Sequence, residues 1–342
     1  MQGKSISYKP DFCFFFMRFL FSFHHIHRRI ADIIMSLTGI ASSHMIITYK
    51  NFLKKYIEEA SMKKNELITM LNRDLTDEHA AIIRYLAHAW LEGEDTPIGA
   101  SLLSRSREEM WHFHWLGMII GQLGGEPDFK PAPYPFDPTN RATIFKSYVE
   151  YEKKLIPHYN AEADRVDDPH IQRVLRREAW ESAIHARKFQ RIHDKLKPEE
   201  ARTAPGGKRD VPQEFIDMLQ KDVTGKYREM LQHIRSSWVF QKKGLMAWNL
   251  MDHAMEKMKH IAHFAEDIGG NGVTAQFKPG RIDTGKTAGT AIKKAMEDVK
   301  KSRNRHLKFA KDSEVMKHGG MVINLDLTIQ QEEYQAEELN DM

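Results

Sequence analysis

The feature that most constrains the fold is an internal repeat. Shifting the sequence by 148 positions aligns one half with the other, and the register holds for about sixty residues without a gap. The matched pairs include Leu71 and Leu219, Asp74 and Asp222, Trp90 and Trp238, and Phe129-Lys130-Pro131 and Phe277-Lys278-Pro279. Because chance does not explain a match of this length, the sequence predicts a duplicated structural unit.

Each copy has the pattern of several long amphipathic helices. Stretches rich in proline and glycine, residues 124–141 and 269–289, join the second helix to the third in each copy. Residues 198–213 have the composition of a linker. The sequence therefore predicts an all-α protein with two tandem four-helix bundles, residues 45–197 and 214–342.

Acidic and histidine residues recur on the predicted inner faces of the first copy. Glu109 and His112 are three residues apart, so a carboxylate and an imidazole lie on one helix face. Glu78, Glu152 and His185 fall on the other three predicted helices. A buried carboxylate needs a compensating partner, and a metal ion is one of the few adequate ones.

This arrangement resembles the ferritin-like di-metal carboxylate proteins, such as bacterioferritin and rubrerythrin, over about residues 66–196. The motifs that carry the resemblance are Leu71-Asn72-x-x-Leu75-x-x-Glu78, Glu109-Met110-Trp111-His112, and Glu152-Lys153-Lys154-Leu155-Ile156-x-x-Tyr159 followed by Asp168-Pro169. The resemblance implies two ferritin-like bundles. It also implies two iron ions, with manganese as the alternative metal, held by Glu78, Glu109, His112, Glu152 and His185.

The fourth helix departs from the family pattern. The family places a glutamate three residues before the histidine, where this sequence has Ser182. Glu181, four residues before His185, is the candidate sixth metal ligand, whereas Glu178 is expected beside the site or at the surface. A five-ligand set also resembles the manganese catalases.

The second copy lacks the ligand pattern. Lys226 stands opposite Glu78, Lys257 opposite Glu109, and Val299 opposite Glu152 with a one-residue shift. Gln335 replaces the fourth-helix histidine, and protonated lysines do not bind cations. We expect a degenerate bundle without a metal site, in which the two lysines pair with the remaining acids Glu256, Glu297 or Glu332.

The resemblance and the hard donor set favour iron-dependent oxidation with O2 or peroxide, of the ferroxidase or peroxidase type. Fe(II) and O2 or hydrogen peroxide are then the expected small-molecule partners. Tyr85 is the candidate catalytic residue, and Tyr159 is placed similarly near Glu152. Two alternatives remain: disproportionation of peroxide as in manganese catalases, and a non-catalytic scaffold stabilised by metal.

In bacterioferritin-like dimers a shared haem is held by one methionine from each subunit. That methionine follows the second-helix glutamate, as Met110 follows Glu109 here, and the repeat keeps Met258 at the matching place. If the bundles pack as an intramolecular pseudo-dimer, both sulfurs would face one pocket. This arrangement is an expectation only, because methionine is also a common filler of core gaps.

The remaining composition excludes several classes of protein. With a net charge of +4 there is no basic excess typical of nucleic-acid binding, and the single cysteine, Cys13, excludes an internal disulfide or a cysteine-bound iron site. Residues 1–44 carry an aromatic run and a basic histidine cluster unlike the rest. A signal peptide and a membrane anchor fit poorly, and we expect a poorly ordered extension upstream of a true start at Met45. The expected protein is cytoplasmic, without a membrane partner, and its assembly into a homo-oligomer or cage is left open.

Overall fold

A computed structural model of the chain describes residues 62–134, 140–282 and 285–342. All regular structure in these ranges is helical, so the predicted all-α class is confirmed. The described residues belong to one compact unit, Met62–Met342. None of their helices combines the length and the apolar character needed to cross a membrane. The predicted extension over residues 1–44 lies outside the described residues.

The first four long helices are α1 (Lys64–Glu92), α2 (Pro97–Gln122), α3 (Arg141–Ala163) and α4 (Pro169–Lys195). Helix α4 begins at the predicted Asp168-Pro169 signal, where the Asp168 carboxylate accepts hydrogen bonds from the first free amides. Helix α3 begins at Arg141. The reason is a cap, because the Asn140 side chain accepts a 2.9 Å hydrogen bond from the Thr143 amide.

The long connection between α2 and α3 lies along α1. The Asn72 amide group donates to the Glu126 carbonyl (3.0 Å) and accepts from the Asp128 amide (2.7 Å). One turn further, the Ala132 amide donates to the Thr76 carbonyl (2.9 Å). The connection is therefore tied to α1 by hydrogen bonds, as the predicted crossover requires.

A second set of long helices follows the short α5 (Pro198–Ala201): α6 (Gln213–Val239), α7 (Leu245–Gly270), α8 (Ala288–Phe309) and α9 (Gly319–Asn340). Close helix pairs are α1 with α2, α3 with α4, α6 with α7, and α8 with α9. The two sets meet where α1 packs on α7 and α2 packs on α6. The shared interface is thus built from the first two helices of each set.

Aromatic side chains pair reciprocally across this interface. The ring of Trp90 stacks on Phe277 (centroids 5.9 Å apart), and the ring of Trp238 stacks on Phe129 (5.7 Å). These four residues are two matched pairs of the 148-residue repeat. The Tyr227 hydroxyl also donates to Nε2 of its own counterpart, His79. Exchange of equivalent partners is the property of an isologous, two-fold interface, here within one chain.

Two glycines at equivalent positions permit this close approach. A Cβ atom on Gly121 would lie 2.4 Å from the Trp238 carbonyl oxygen, and one on Gly269 would lie 2.5 Å from the Trp90 carbonyl oxygen. Both contacts are with backbone, which cannot rotate away as a flexible side chain would. Glycine is therefore required at both positions for the observed spacing of the helices.

Replacement of Gly269 by alanine should lower the free energy of unfolding by about 1–3 kcal/mol, because the added methyl group overpacks the interface. The neighbouring Gly270→Ala is the matched control, since a Cβ atom there meets nothing within 4 Å. The control should be neutral or stabilising by up to about 1 kcal/mol. Urea denaturation of both variants measures the difference, and equal effects would contradict the packing described.

Candidate di-metal site

The five predicted ligand residues converge in the core of the first four helices. Each is nearly or fully buried, with exposed fractions of 1% for Glu78, 3% for Glu109, 0% for His112, 1% for Glu152 and 0% for His185. α1 supplies Glu78, α2 supplies Glu109 and His112, α3 supplies Glu152, and α4 supplies His185. Three carboxylates in an apolar core are costly without compensating positive charge.

The side chains form two groups that share Glu109. Glu78, Glu109 and His112 make one group, and Glu109, Glu152 and His185 make the other; within each, the candidate ligand atoms lie within 4.8 Å of one another. Nδ1 of His112 is 2.8 Å from Glu109 Oε2, and Nδ1 of His185 is 2.7 Å from Glu109 Oε1. The two oxygens of one carboxylate thus face different imidazoles, as a carboxylate bridging two ions requires.

The outer nitrogen of each imidazole meets a further carboxylate. His112 Nε2 lies 2.6 Å from Glu181 Oε2, and His185 Nε2 lies 2.6 Å from Glu108 Oε2. Each Nε2–H donates to its own carboxylate, so Nδ1 is the nitrogen that faces the carboxylate cluster and can bind a cation once its proton is lost. A metal-binding histidine is oriented in the same way by a carboxylate on its second nitrogen.

Glu181 is the candidate sixth ligand from the sequence. The structure places it on the far side of His112 from Glu78 and Glu109, where Arg177 also contacts it at 2.8 Å. Its position suits orientation of the imidazole. Glu108, which the sequence reasoning did not single out, has the same relation to His185. A sequence signal was present, since Glu108 directly precedes Glu109 in a segment already assigned to the site.

Two tyrosines donate hydrogen bonds to the Glu78 and Glu152 carboxylates, each to the carboxylate on the opposite helix. The Tyr85 hydroxyl on α1 donates to Glu152 on α3 (2.6 Å), whereas the Tyr159 hydroxyl on α3 donates to Glu78 on α1. Burial and the nearby carboxylates raise the pKa of both phenols well above the ordinary value, so both stay protonated donors. The tyrosines therefore hold the two carboxylates in place and link α1 to α3.

Glu178 is a further buried acid beside the site. Its side chain is 0% exposed, and neither carboxylate oxygen has a hydrogen-bond partner among the described residues. Burial raises the pKa of Glu178 well above its usual value, and the charges of Glu78 and Asp74 raise it further. The sequence reasoning placed Glu178 beside the site or at the surface, and the structure shows the first of these.

The carboxylates and imidazoles of the cluster shift each other's pKa values. Burial, together with the Glu109 carboxylate, raises the pKa of Glu78 to about 8. Burial alone would lower the pKa of His112 and of His185, but the surrounding carboxylates raise both well above the ordinary value. Protonated imidazoles thus balance the negative charge of the carboxylates. Bound cations can supply the same positive charge in their place.

The residues fit a pair of divalent cations. Glu152 Oε2 and both oxygens of Glu178 are buried without a hydrogen-bond partner, and all are atoms of metal-ligand type. The carboxylates of Glu78, Glu109 and Glu152 would offset most of the positive charge of two divalent ions. Oxygen and imidazole donors of this kind suit iron or manganese.

The corresponding place in the second bundle contains lysines. Lys226 and Lys257 are both 0% exposed, and Lys226 pairs with Glu332 as expected. The other expected acids are not the partners, because Lys257 donates to Gln335 (2.8 Å) and both lysines lie near Glu229 at 3.4 and 3.9 Å. Among the described residues of α6 to α9, no three ligand-type groups cluster closely enough to hold a cation.

A cavity of about 330 Å³ lies between the two bundles. Its walls are mainly apolar and come from α1, α2, α6 and α7, with Arg107 and Lys259 among the few charged residues. Met110 and Met258 both line it, as shared ligation of one group by the two sulfurs requires. Haem binding there stays a prediction.

Replacement of Lys226 by methionine should destabilise the protein by about 3–5 kcal/mol, because the buried Glu332 and Glu229 would then lose their closest cation. Adding Glu332→Gln should recover part of the loss. Lys259→Met is the control, since this lysine is 60% exposed and should matter by less than about 0.5 kcal/mol. Denaturant titration measures all three, and a neutral Lys226→Met would contradict the ion-pair assignment.

Cation binding at the first-bundle site should strengthen as the pH rises from about 6 to 8. The raised pKa values of Glu78, His112 and His185 mean that binding must expel protons, and each proton released changes the affinity about tenfold per pH unit. Calorimetry in two buffers of different ionisation enthalpy counts the protons. A constant affinity over this pH range would refute the prediction.

The comparisons with known proteins agree with the site. Residues 68–197 match the family model described as Ferritin: Ferritin-like domain. No curated protein and no solved structure gave a match. The matched range contains α2, α3 and α4 whole, most of α1 and every residue of the candidate site. The match supports the assignment of residues 68–197 to the ferritin-like superfamily.

Proposed function

We propose that the first bundle is a di-iron oxidoreductase that oxidises Fe(II) with O2 or hydrogen peroxide as the electron acceptor. The observation that carries the proposal is the paired orientation of the two imidazoles. Each directs Nδ1 at a shared Glu109 and is held at Nε2 by its own carboxylate, Glu181 or Glu108. A buried ion-pair network does not require two imidazoles in this matched orientation.

In this proposal two iron ions would be held by the carboxylates of Glu78, Glu109 and Glu152 and by the imidazoles of His112 and His185, with Glu109 shared by the two groups. Such ions would supply the electrons for reduction of O2 or peroxide. The protein orients the carboxylates through Tyr85 and Tyr159, and the imidazoles through Glu108 and Glu181. The apolar surroundings limit water at the centre and strengthen these hydrogen bonds.

The second bundle has a supporting role in this proposal. Lys226 and Lys257 occupy the place of cations, so this half remains folded without a metal ion. The reciprocal aromatic pairs support an origin by duplication of one bundle, followed by loss of the ligands from the second copy. The redox chemistry is then confined to one half of an intramolecular pseudo-dimer.

Anaerobic loading with Fe(II), followed by a pulse of O2, tests the proposal. The wild-type protein should consume O2 and develop a ferric oxo-bridged absorption at two iron ions per chain. Glu152→Gln should abolish this absorption, because it removes a ligand oxygen. Glu150→Gln is the control, since Glu150 is an exposed glutamate on the same helix and should leave the reaction unchanged.

Replacement of the carboxylates that orient the imidazoles should weaken iron binding without abolishing it. Glu181→Gln and Glu108→Gln should bind iron about 10–100-fold more weakly without changing its stoichiometry, because the acceptors that orient the histidines lose only their negative charge. No O2 consumption by fully loaded wild-type protein would refute the oxidase proposal. Oxygen release from hydrogen peroxide by the manganese-loaded protein would favour the catalase alternative, whereas a metal-dependent rise in Tm without either reaction would favour a scaffold.

A further inference from the structure

A second group of metal-ligand side chains lies outside the di-metal site. Asp74 on α1 and His158 and Glu162 on α3 each offer one ligand atom, and these atoms lie within 4.8 Å of one another. Asp74 is 0% exposed and Glu162 is 3% exposed, while the His158 side chain is 30% exposed. The group therefore reaches solvent through its imidazole and has its carboxylates inside.

The geometry converges on one nitrogen. His158 Nε2 lies 3.0 Å from Asp74 Oδ1 and 3.5 Å from Glu162 Oε2. His158 and Glu162 are one helical turn apart, so α3 supplies two of the three groups from one face. Two carboxylates and one imidazole are donors that suit Mn(II), Fe(II), Co(II) and Zn(II).

The charge around this group is unbalanced toward the negative. Arg73 pairs with Glu162, yet its side chain is 54% exposed and can move into water. Asp77 adds a further carboxylate close enough to interact with Asp74. Oδ2 of Asp74 also has no hydrogen-bond partner, although the residue is fully buried. A divalent cation would satisfy this oxygen and reduce the excess charge.

Glu178 interacts electrostatically with both groups. Its buried, unpartnered carboxyl group is close enough to interact with Asp74 and also with Glu78 and His112. Asp74 and Glu78 are themselves one turn apart on α1. Tyr159, next to His158 in sequence, donates to Glu78. Carboxyl groups thus connect the partly exposed imidazole with the di-metal site in the core.

We propose that Asp74, His158 and Glu162 form a third site for one divalent transition-metal cation, and that Glu178 passes cations from it to the di-metal site. The binding part stands independently of the oxidase activity, whereas the transfer part rests on the proposed function. The third site would hold Fe(II) near the surface before oxidation. Its occupant is a hydrated divalent ion that exchanges water for the imidazole and the two carboxylates.

Cobalt(II) titration of the full-length chain, monitored by visible absorption and calorimetry, tests the binding part. Differences between variants decide the result, because His24, His25 and His27 in the sequence can bind cobalt as well. His158→Gln and Asp74→Asn should each bind one equivalent fewer than the wild type. His170→Gln is the control, since this histidine is exposed on the same bundle and should keep the wild-type count.

The double variant Glu109→Gln/Glu152→Gln separates this proposal from the proposed function. It should lose two equivalents and keep the equivalent that depends on His158. A double variant that loses nothing, with the His158-dependent equivalent intact, would refute the di-metal site and leave the third site standing. If His158→Gln and Asp74→Asn bind as much cobalt as the wild type, the group is a structural ion-pair cluster and the third site is refuted.

Stopped-flow loading tests the transfer part. In Glu178→Gln the di-metal site should fill at least about tenfold more slowly at unchanged final stoichiometry, because the connecting carboxylate is lost. His158→Gln should show the same delay, whereas His170→Gln should load at the wild-type rate. Wild-type loading rates in both Glu178→Gln and His158→Gln would overturn the transfer role.

Discussion

The Glu109 carboxylate is the group on which the architecture of the first bundle depends. It lies in the core with one oxygen toward each imidazole, and it belongs to both groups of candidate ligands. A charged carboxylate in this environment is costly without compensating positive charge, and Glu109 has an imidazole on each side. The four helices must therefore approach closely enough to bring His112 and His185 to it, and the crossed hydrogen bonds from Tyr85 and Tyr159 fix that approach.

The two halves of the chain meet the same physical requirement in different ways. Both have buried acids between four helices, Glu78, Glu109 and Glu152 in the first and Glu229 and Glu332 in the second. In the second half Lys226 and Lys257 provide covalently attached cations, with a primary amide, Gln335, as the acceptor for one of them. In the first half the acids face His112 and His185 and, within the described part of the chain, no lysine, and these imidazoles can be neutral and bind a metal ion. This difference confines the proposed chemistry to one bundle.

Much of this arrangement could be predicted from sequence because helical periodicity fixes which residues share a face. The spacing of Glu109 and His112 placed both toward the core, and the repeat predicted a second helical set. Sequence could not decide the roles along α4, where Glu178, Glu181 and His185 are spaced three and four residues apart and share one face. Their depth depends on how α1 and α2 pack, so Glu178 lies inside and Glu181 lies outside His112. Glu229 was not among the expected partners Glu256, Glu297 and Glu332, although it lies three residues from Lys226 on the same helix.

Anomalous diffraction from crystals of the Fe(II)-loaded protein, recorded at the iron absorption edge, tests the central claim most directly. Within the di-metal site the account predicts two iron peaks about 3.5–4 Å apart, one on each side of the Glu109 carboxylate and separate from any iron at Asp74, His158 and Glu162, and it predicts no peak between Lys226 and Lys257. A single peak or none beside Glu109 in fully loaded protein would contradict the shared-carboxylate site, as would iron bound in the second bundle.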